Sequence, residues 1–105
     1  MRLPSGDRVT IEVRYFDSCP NWKRTRRLIE GITGEAPRLL LVETLQQAEE
    51  LDFAGSPTVL VNGVDPWSDQ AAAASMSCRI YRTPDGSLVG GPTEAMLRDA
   101  LKPDA

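Results

Sequence analysis

Residues 16–22 read FDSCPNW, and they join an apolar, strand-like run to a segment with helical periodicity. The run before them, VTIEVRYF (9–16), alternates apolar and polar side chains and is rich in β-branched residues, which is typical of a strand. After them the apolar residues recur at helical spacing until Gly31 and Gly34. The stretch therefore predicts a strand, a short loop that carries Cys19, and a helix.

The segment that follows predicts a second strand and a short helix. Residues 38–43, RLLLVE, form a nearly continuous apolar run, which is typical of a strand covered on both faces. Thr44 and Gln47 have the spacing of a capping box, so a helix is expected over residues 45–52.

The second half of the chain predicts two strands and a last helix. TVLV (58–61) has the composition of a strand, and the Asn62–Gly63 pair after it is typical of a tight turn. The alanine run within residues 64–77 favours a short helix by propensity alone. CRIYRT (78–83) predicts a strand, and a helix is expected after Pro92. The element order is β-α-β-α-β-β-α, which implies an α/β fold with a mixed sheet and helices on both of its faces.

Length and composition limit the possible functions. With 105 residues the chain is expected to form one domain, residues 1–105, and its net charge of −3 gives no reason to bind nucleic acid or an anionic membrane. The first residues lack the apolar segment of a secretory leader, so a cytoplasmic location with reduced thiols is expected. The chain has no histidine and two cysteines, which excludes Cys-His catalytic pairs and ordinary structural zinc sites.

Three motifs in this order resemble the thioredoxin fold in its glutaredoxin-like form. YFDSCPNW (15–22) is similar to the strand–loop–helix junction that holds the active cysteine of that family. AGSPTVLVNG (54–63) resembles the loop with a cis-proline that leads into its third core strand, and LVGGPTEAMLRDAL (88–101) resembles its terminal strand-to-helix step. The resemblance implies a three-layer sandwich around a mixed four-stranded sheet, with residues 64–77 as an insertion.

The chain departs from this family where the second active-site cysteine is expected. The family's Cys-x-x-Cys pair is here Cys19 and Trp22, so a dithiol cycle within this motif is excluded, and the chain resembles a monothiol member. If the helix begins at Pro20, unpaired N–H groups at its start would lower the pKa of the Cys19 thiol. Lys23 would add to this effect and Asp17 would oppose it, which leaves a reactive thiol and an inert, partly buried one both open.

The resemblance also implies which residues bind substrate. The Ser56–Pro57 bond is expected to be cis, with the loop beside the active sulfur and its backbone paired with the bound chain or thiol. Trp22 either presents a flat surface to a ligand or fills the space of the missing cysteine. The glycine pair before the last helix either binds a carboxylate or is a plain break between elements. The candidate substrate-binding residues are Pro20, Trp22, Ser56, Pro57, Thr58, Gly90 and Gly91.

Cys78 raises the question of a second thiol at the site. If Pro57 begins a strand at the site, the chain is carried roughly 17 Å away before it turns, and a return strand starting at Cys78 would begin at the far end. A disulfide needs Cα atoms within ~7 Å, so this topology argues against a pair with Cys19. The connection over residues 64–77 is long enough to cross back, so the pair stays open beside the alternative of a small buried Cys78.

Three functional hypotheses follow. The first is a thioredoxin-like protein in thiol–disulfide chemistry with Cys19 as its lone nucleophile or thiol-capture residue, which would make it a monothiol-type oxidoreductase. Its partner would be a disulfide-containing protein or a small thiol such as glutathione, with no resident cofactor or metal. The second is a non-catalytic interaction module on the same fold. The third is the handling of a thiophilic metal or an organomercurial by Cys19 and Cys78 together.

Overall fold

The computed structural model describes residues 9–101, and the expectation about a leader segment concerns residues that lie largely outside this range. The chain forms a mixed α/β structure. Its elements in chain order are β1 (Ile11–Tyr15), α1 (Trp22–Thr33), β2 (Arg38–Leu41), α2 (Leu45–Glu50), β3 (Thr58–Val61), a 3₁₀ turn (Ser68–Gln70), β4 (Tyr81–Arg82), β5 (Leu88–Val89) and α3 (Glu94–Leu101). No helix within the described range is long and apolar enough to cross a membrane.

The strands form a three-stranded sheet and a separate hairpin. The sheet has the order β2-β1-β3, with β2 parallel and β3 antiparallel to β1, so that Val13 lies between Leu39 and Val59. β4 and β5 pair only with each other among the described residues, with Tyr81 opposite Val89. The predicted four-stranded sheet is therefore not found there, and the predicted strand over residues 78–83 is reduced to β4.

The prediction that residues 38–43 are covered on both faces is wrong. β2 lies at the edge of the sheet, and Leu39 is 40% exposed. The apolar run is long because it continues past the end of the strand: Val42 follows β2 and is fully buried in a separate core cluster. In this chain the unbroken apolar run belongs to an edge strand and the buried residue that follows it, and not to a central strand.

The helix expected from the alanine run within residues 64–77 is also not formed. Helical structure is limited to the 3₁₀ turn, and Ala71 is already extended. A short alanine segment gains too little from propensity to cover the cost of starting a helix. Side-chain bonding favours the observed path, since the Gln70 amide donates to the carbonyl of Arg82 and accepts its N–H, at 3.2 and 2.7 Å.

The ends of the helices follow local capping chemistry. α1 begins at Trp22 with Asn21 as its N-cap, and Pro20 lies in the preceding turn, so the prediction of Pro20 at the first helical position is wrong. The helix continues through Gly31 and stops at Gly34, which has a left-handed φ of 78°. α2 is capped as predicted, because the Thr44 hydroxyl accepts the N–H of Gln47 at 3.0 Å.

Two core clusters hold the helices against the sheet. The first contains Ile11, Val13, Ile29, Val59 and Leu97, so α1 and α3 share one face of the sheet. The second contains Val42, Ala48 and Phe53, around α2. Arg14 alternates with Val13 along β1 and therefore points to the other face, where it donates to the carbonyl of Leu51 at the end of α2, 3.2 Å away.

Candidate functional site

Cys19 lies in the loop between β1 and α1 with its sulfur almost fully enclosed. Only 3% of the residue is exposed. Its backbone N–H donates to the carbonyl of Phe16 at 3.1 Å, which closes a tight turn. The thiol donates to the carbonyl of Ser56 at 3.5 Å, and the sulfur accepts the N–H of Asn21 at 3.4 Å. The sulfur therefore faces the start of α1, although Asn21 rather than Cys19 is the N-cap.

The loop before β3 forms the wall beside Cys19. Its Ser56–Pro57 peptide bond is cis, and Ser56, Pro57 and Thr58 are all buried. The Ser56 hydroxyl accepts the N–H of Phe16 at 3.4 Å, which ties this loop to the loop that carries Cys19. The Tyr81 hydroxyl donates to the carbonyl of Pro57 at 2.5 Å. The structure thus brings the predicted residues Cys19, Ser56, Pro57 and Thr58 together.

The backbone of Ser56 is already paired within the chain. Its N–H donates to the carbonyl of Ser77 at 3.0 Å, and its carbonyl accepts the N–H of Arg79 at 2.9 Å, so that Cys78 lies beside Ser56 in a parallel bridge. Gly55 permits this approach: a Cβ there would lie 2.9 Å from the carbonyl oxygen of Ser77. The groups that the resemblance assigns to a bound chain are occupied by residues 77–79 of the protein itself.

Cys78 consequently lies next to Cys19. Both are free thiols, and Cys78 is exposed where Cys19 is buried. Partial loss of solvent around its sulfur, and then the charge of Cys19 and a side-chain hydrogen bond with it, raise the pKa of the exposed Cys78 thiol. Of the two alternatives left open for Cys78, the small buried residue is wrong, because Cys78 is exposed. Residues 62–80 cross back to the Ser56 loop before β4 begins at Tyr81.

Arg79 holds this crossing segment in place, and it was not identified from the sequence. The residue is 3% exposed, and its guanidinium donates to the Asp65 carboxylate at 2.6 Å and to the carbonyl of Trp67 at 2.8 Å. It also lies over the Tyr81 ring, 4.5 Å from the centroid. The alternation of residues 78–83 indicates that one of every two side chains is buried, but it does not indicate which set. In the structure Arg79 and Tyr81 are buried, and Cys78 and Ile80 are exposed.

Trp22 fills space behind the site and does not present an open surface. It is 7% exposed, and its ring stacks on Tyr15 with centroids 4.1 Å apart. The Lys23 ammonium lies 5.8 Å from the centroid of the same ring. Lys23, Asp17 and Pro20 are all exposed around the rim of the Cys19 loop.

The glycine pair before α3 is also brought to the site, by close packing. A Cβ on Gly90 would collide with the Asn21 side chain. A Cβ on Gly91 would lie 2.9 Å from the Thr25 hydroxyl and 3.6 Å from the Pro57 ring. In this arrangement the two glycines let the chain pass tightly between the first turn of α1 and the Pro57 loop.

A cleft of about 380 Å³ opens beside Cys78. Its walls come mainly from the segment that crosses back to Ser56. They include Ala72, Ala73, Ala74, Ser75, Ser77 and Cys78. Within residues 9–101, no three His, Cys, Asp or Glu side chains are grouped so that they could hold a metal ion. No protein-family model, curated protein or solved structure matches the chain.

Proposed function

We propose that this chain is a thioredoxin-like protein that carries out thiol–disulfide exchange with Cys19 and Cys78 as its redox pair. The observation that carries the proposal is that both free thiols lie at Ser56: the Cys19 thiol donates to its carbonyl, and Cys78 pairs with it in a parallel bridge. The strand order β2-β1-β3, the shared face of α1 and α3, and the position of Cys19 just before α1 support the family assignment. The second thiol, Cys78, directly follows the insertion of residues 64–77 and does not come from α1.

The exchange needs only the two cysteines and a substrate disulfide. One thiolate attacks a substrate sulfur, the substrate S–S bond breaks, and one substrate thiolate leaves and takes up a proton. The other cysteine then loses its proton and attacks the cysteine sulfur of this mixed disulfide, which forms the Cys19–Cys78 bond and releases the second substrate thiol. Two electrons pass from the cysteine pair to the substrate. A low-molecular-weight thiol returns the pair to the reduced state by the reverse steps.

One backbone donor is directed at the Cys19 sulfur. The N–H of Asn21 points at the sulfur, and hydrogen bonds from backbone N–H groups to a charged acceptor are stronger than those to a neutral one. The enclosure of the sulfur keeps water away from a mixed or internal disulfide. Cys19 is therefore the member of the pair that is held in a fixed position.

Equilibration with dithiothreitol at different ratios of oxidised to reduced reagent tests the proposal. After acid quenching, a maleimide counts the remaining thiols by mass spectrometry. We expect the wild-type protein to pass from two labelled thiols to none in a single two-electron transition, for which a tenfold change in the ratio corresponds to ~30 mV. Independent loss of the two thiols, or retention of both, would contradict the proposal.

A variant in which the second cysteine is moved by one position is the matched control. In a Cys78→Ser, Ser77→Cys double variant the chain keeps two cysteines but moves one of them by a single position. Because neighbouring side chains in an extended segment point to opposite sides, we expect this variant to lose the two-electron transition. If it formed an internal disulfide as readily as the wild type, the pair would reflect general flexibility of residues 71–80 and not a built site.

Binding of a thiophilic ion is the second candidate, and the closeness of the two sulfurs is what favours it. Soft ions such as Hg²⁺ or Cu⁺ prefer thiolate ligands, and two adjacent thiolates can hold one ion. Titration with Hg²⁺ under reducing-agent-free conditions tests this candidate. It requires one ion per protein, with that stoichiometry lost in both Cys19→Ser and Cys78→Ser. An interaction module without thiol chemistry would instead tolerate either substitution.

A further inference from the structure

The two thiols differ in how a substrate can reach them. Cys19 is 3% exposed, and its sulfur is covered by the Ser56 carbonyl and the start of α1. Cys78 is exposed and lies in the wall of the cleft beside it. In-line attack on a disulfide places the two substrate sulfurs in a row in front of the attacking sulfur, which therefore needs an open side. The geometry favours Cys78 as the thiol that meets a substrate.

The cleft has the volume of a small-molecule site. Its volume of about 380 Å³ lies within the range of roughly 300–1,000 Å³ that is usual for ligand pockets. Its walls near Cys78 are alanine methyl groups and serine hydroxyls. Among residues 9–101, Arg79 is the only cationic side chain that lines the cleft. Its guanidinium is buried and paired with Asp65, so these residues offer no free positive charge to an anionic ligand.

An extended peptide has no free backbone edge at this place. The N–H and the carbonyl of Ser56 are bonded to Ser77 and Arg79, and residues 77–79 lie where a bound chain would pair. A protein substrate would have to displace this segment, and Cys78 with it. A small molecule in the cleft would leave the segment in place.

On the basis of the proposed disulfide exchange, we infer that the substrate is a small, uncharged organic disulfide that enters the cleft, reacts first with Cys78, and is released by Cys19. The Cys78 thiolate attacks one substrate sulfur, and the substrate S–S bond breaks with departure of one thiolate, which is protonated. The Cys19 thiolate then attacks the Cys78 sulfur, and the second substrate thiolate leaves and is protonated. This order inverts the roles expected from the sequence, where Cys19 is the first nucleophile.

The test uses 2,2′-dithiodipyridine, a small neutral disulfide whose reduction releases a coloured product. Cys19→Ser leaves only Cys78, and Cys78→Ser leaves only Cys19. We expect the first variant to react at least about tenfold faster than the second, each rate being divided by that of the same variant unfolded in urea. Equal rates, or faster reaction of the Cys78→Ser variant, would overturn the inference.

Two further measurements keep the result independent of a folding defect. In the wild-type protein, a fraction of one equivalent of reagent followed by rapid acid quenching should place the first adduct on Cys78 in the peptide map. In the Cys19→Ser background, Ala73→Phe narrows the cleft and should slow the reaction with dithiodipyridine more than alkylation by the smaller iodoacetamide. An adduct found first on Cys19, or equal slowing of both reagents, would contradict entry through the cleft.

Charge supplies the last comparison. The reaction of the dianionic reagent 5,5′-dithiobis(2-nitrobenzoate) with the Cys19→Ser variant should be slowed by folding more than that of dithiodipyridine is. The opposite result would contradict an uncharged substrate.

Failure of the proposed function would give a different result. If the wild-type protein releases one equivalent of product and keeps an adduct on Cys78, the substrate-facing role of Cys78 stands and the redox pair does not.

Discussion

Ser56 connects the two thiols through its backbone. Its carbonyl accepts from both the Cys19 thiol and the Arg79 N–H, and its own N–H is bonded to Ser77. These contacts do not involve the Ser56 side chain, so they depend on how closely two backbone segments can approach. Gly55, with a φ of 118° and the Ser77–Arg79 backbone directly against it, sets that distance. The position of Cys78 relative to Cys19 therefore depends on Gly55, which has no reactive side chain.

Substitution of Gly55 by alanine should separate the thiols. The new Cβ would lie 2.9 Å from the Ser77 carbonyl oxygen and 3.0 Å from the Arg79 Cβ, so residues 77–79 must move away. We expect slower formation of the Cys19–Cys78 disulfide, measured by loss of labelled thiols in oxidised dithiothreitol. We also expect a decrease in the free energy of unfolding of at least ~1 kcal/mol, because alanine is strained at this φ.

Gly63→Ala is the matched control for that variant. Gly63 also has a left-handed φ, of 81°, but no atom of residues 9–101 lies within 4 Å of its added Cβ. It should share the backbone strain and keep the wild-type rate of disulfide formation. If Gly63→Ala slowed the reaction as much as Gly55→Ala, strain alone would explain the effect, and the close approach at Gly55 would have no part in it.

The interaction between the thiols should be visible in the titration of Cys78. Its pKa is raised first by partial loss of solvent around the sulfur, and then by the charge of Cys19 and a hydrogen bond with it. Cys19→Ala removes the second and third causes, so the pKa of Cys78 should fall and its alkylation should begin at lower pH. Site-resolved mass spectrometry after iodoacetamide pulses at several pH values measures this shift. Ser18→Ala, which changes the residue next to Cys19, is the control and should leave the pH dependence of Cys78 alkylation as in the wild type. The same pH dependence in Cys19→Ala would show that the thiols do not interact.

At the scale of elements, the segment between β3 and β4 shapes the site more than any helix or strand. It leaves the sheet at the Asn62–Gly63 turn, and its Asp65 and Trp67 are held by the Arg79 side chain. Ser75 then donates its N–H to the carbonyl of Phe53 at 3.0 Å, which brings the chain to the Ser56 loop. This connection has little regular structure and is fixed by side-chain bonds instead.

Removal of the Arg79 side chain should therefore loosen the whole connection. Arg79→Met leaves the Asp65 carboxylate partly buried without its ion-pair partner, and breaking a buried pair in this way costs about 3–5 kcal/mol. Urea denaturation measures the free energy of unfolding. Arg98→Met is the control, since it makes the same change in an exposed ion pair with Glu94 and should cost less than ~1 kcal/mol. Equal effects of the two substitutions would show that the Arg79 pair does not hold the connection.

The elements that could be predicted from the sequence are those determined by residues close together in the chain. β1 and β3 follow from their strand composition, α1 from its helical periodicity, and α2 from the Thr44 cap. The Cys19 and Ser56–Pro57 loops were expected from their motifs and a family resemblance. The position of Cys78 could not be predicted, because it depends on Arg79, Asp65 and Trp67 meeting across a connection without periodicity. The orientation of residues 78–83 could not be predicted for the same reason. Either set of alternate side chains could face the core, and the buried ion pair with Asp65 favours the arrangement in which Arg79 points inward.

At the scale of the molecule, the segment that carries Cys78 links the two core clusters. Met76 packs against the cluster of Val42, Ala48 and Phe53. Trp67 packs against the cluster on the other side and meets the Tyr81 ring edge-on, with centroids 5.6 Å apart. Cys78 lies in the chain between Met76, which packs on the second cluster, and Tyr81, which Trp67 contacts. A bond from Cys78 to Cys19 would therefore restrain the segment that contacts both clusters.

Oxidation should therefore stabilise the fold, and the fold should stabilise the disulfide by the same free energy. A Cys19–Cys78 bond closes a loop of about 60 residues, for which loss of chain entropy in the unfolded state raises the free energy of unfolding by about 4 kcal/mol. By linkage, the native disulfide should be about 90 mV more reducing than the same disulfide in the urea-unfolded chain. Urea denaturation of the oxidised and reduced protein gives the first quantity, and equilibration with dithiothreitol with and without urea gives the second. Cys78→Ser, treated with the same oxidant, should show no shift in its urea midpoint. If the oxidised protein unfolded at lower urea than the reduced one, the bond would form only by distorting the site, and the thiols would be better explained as ligands of a thiophilic ion than as a redox pair.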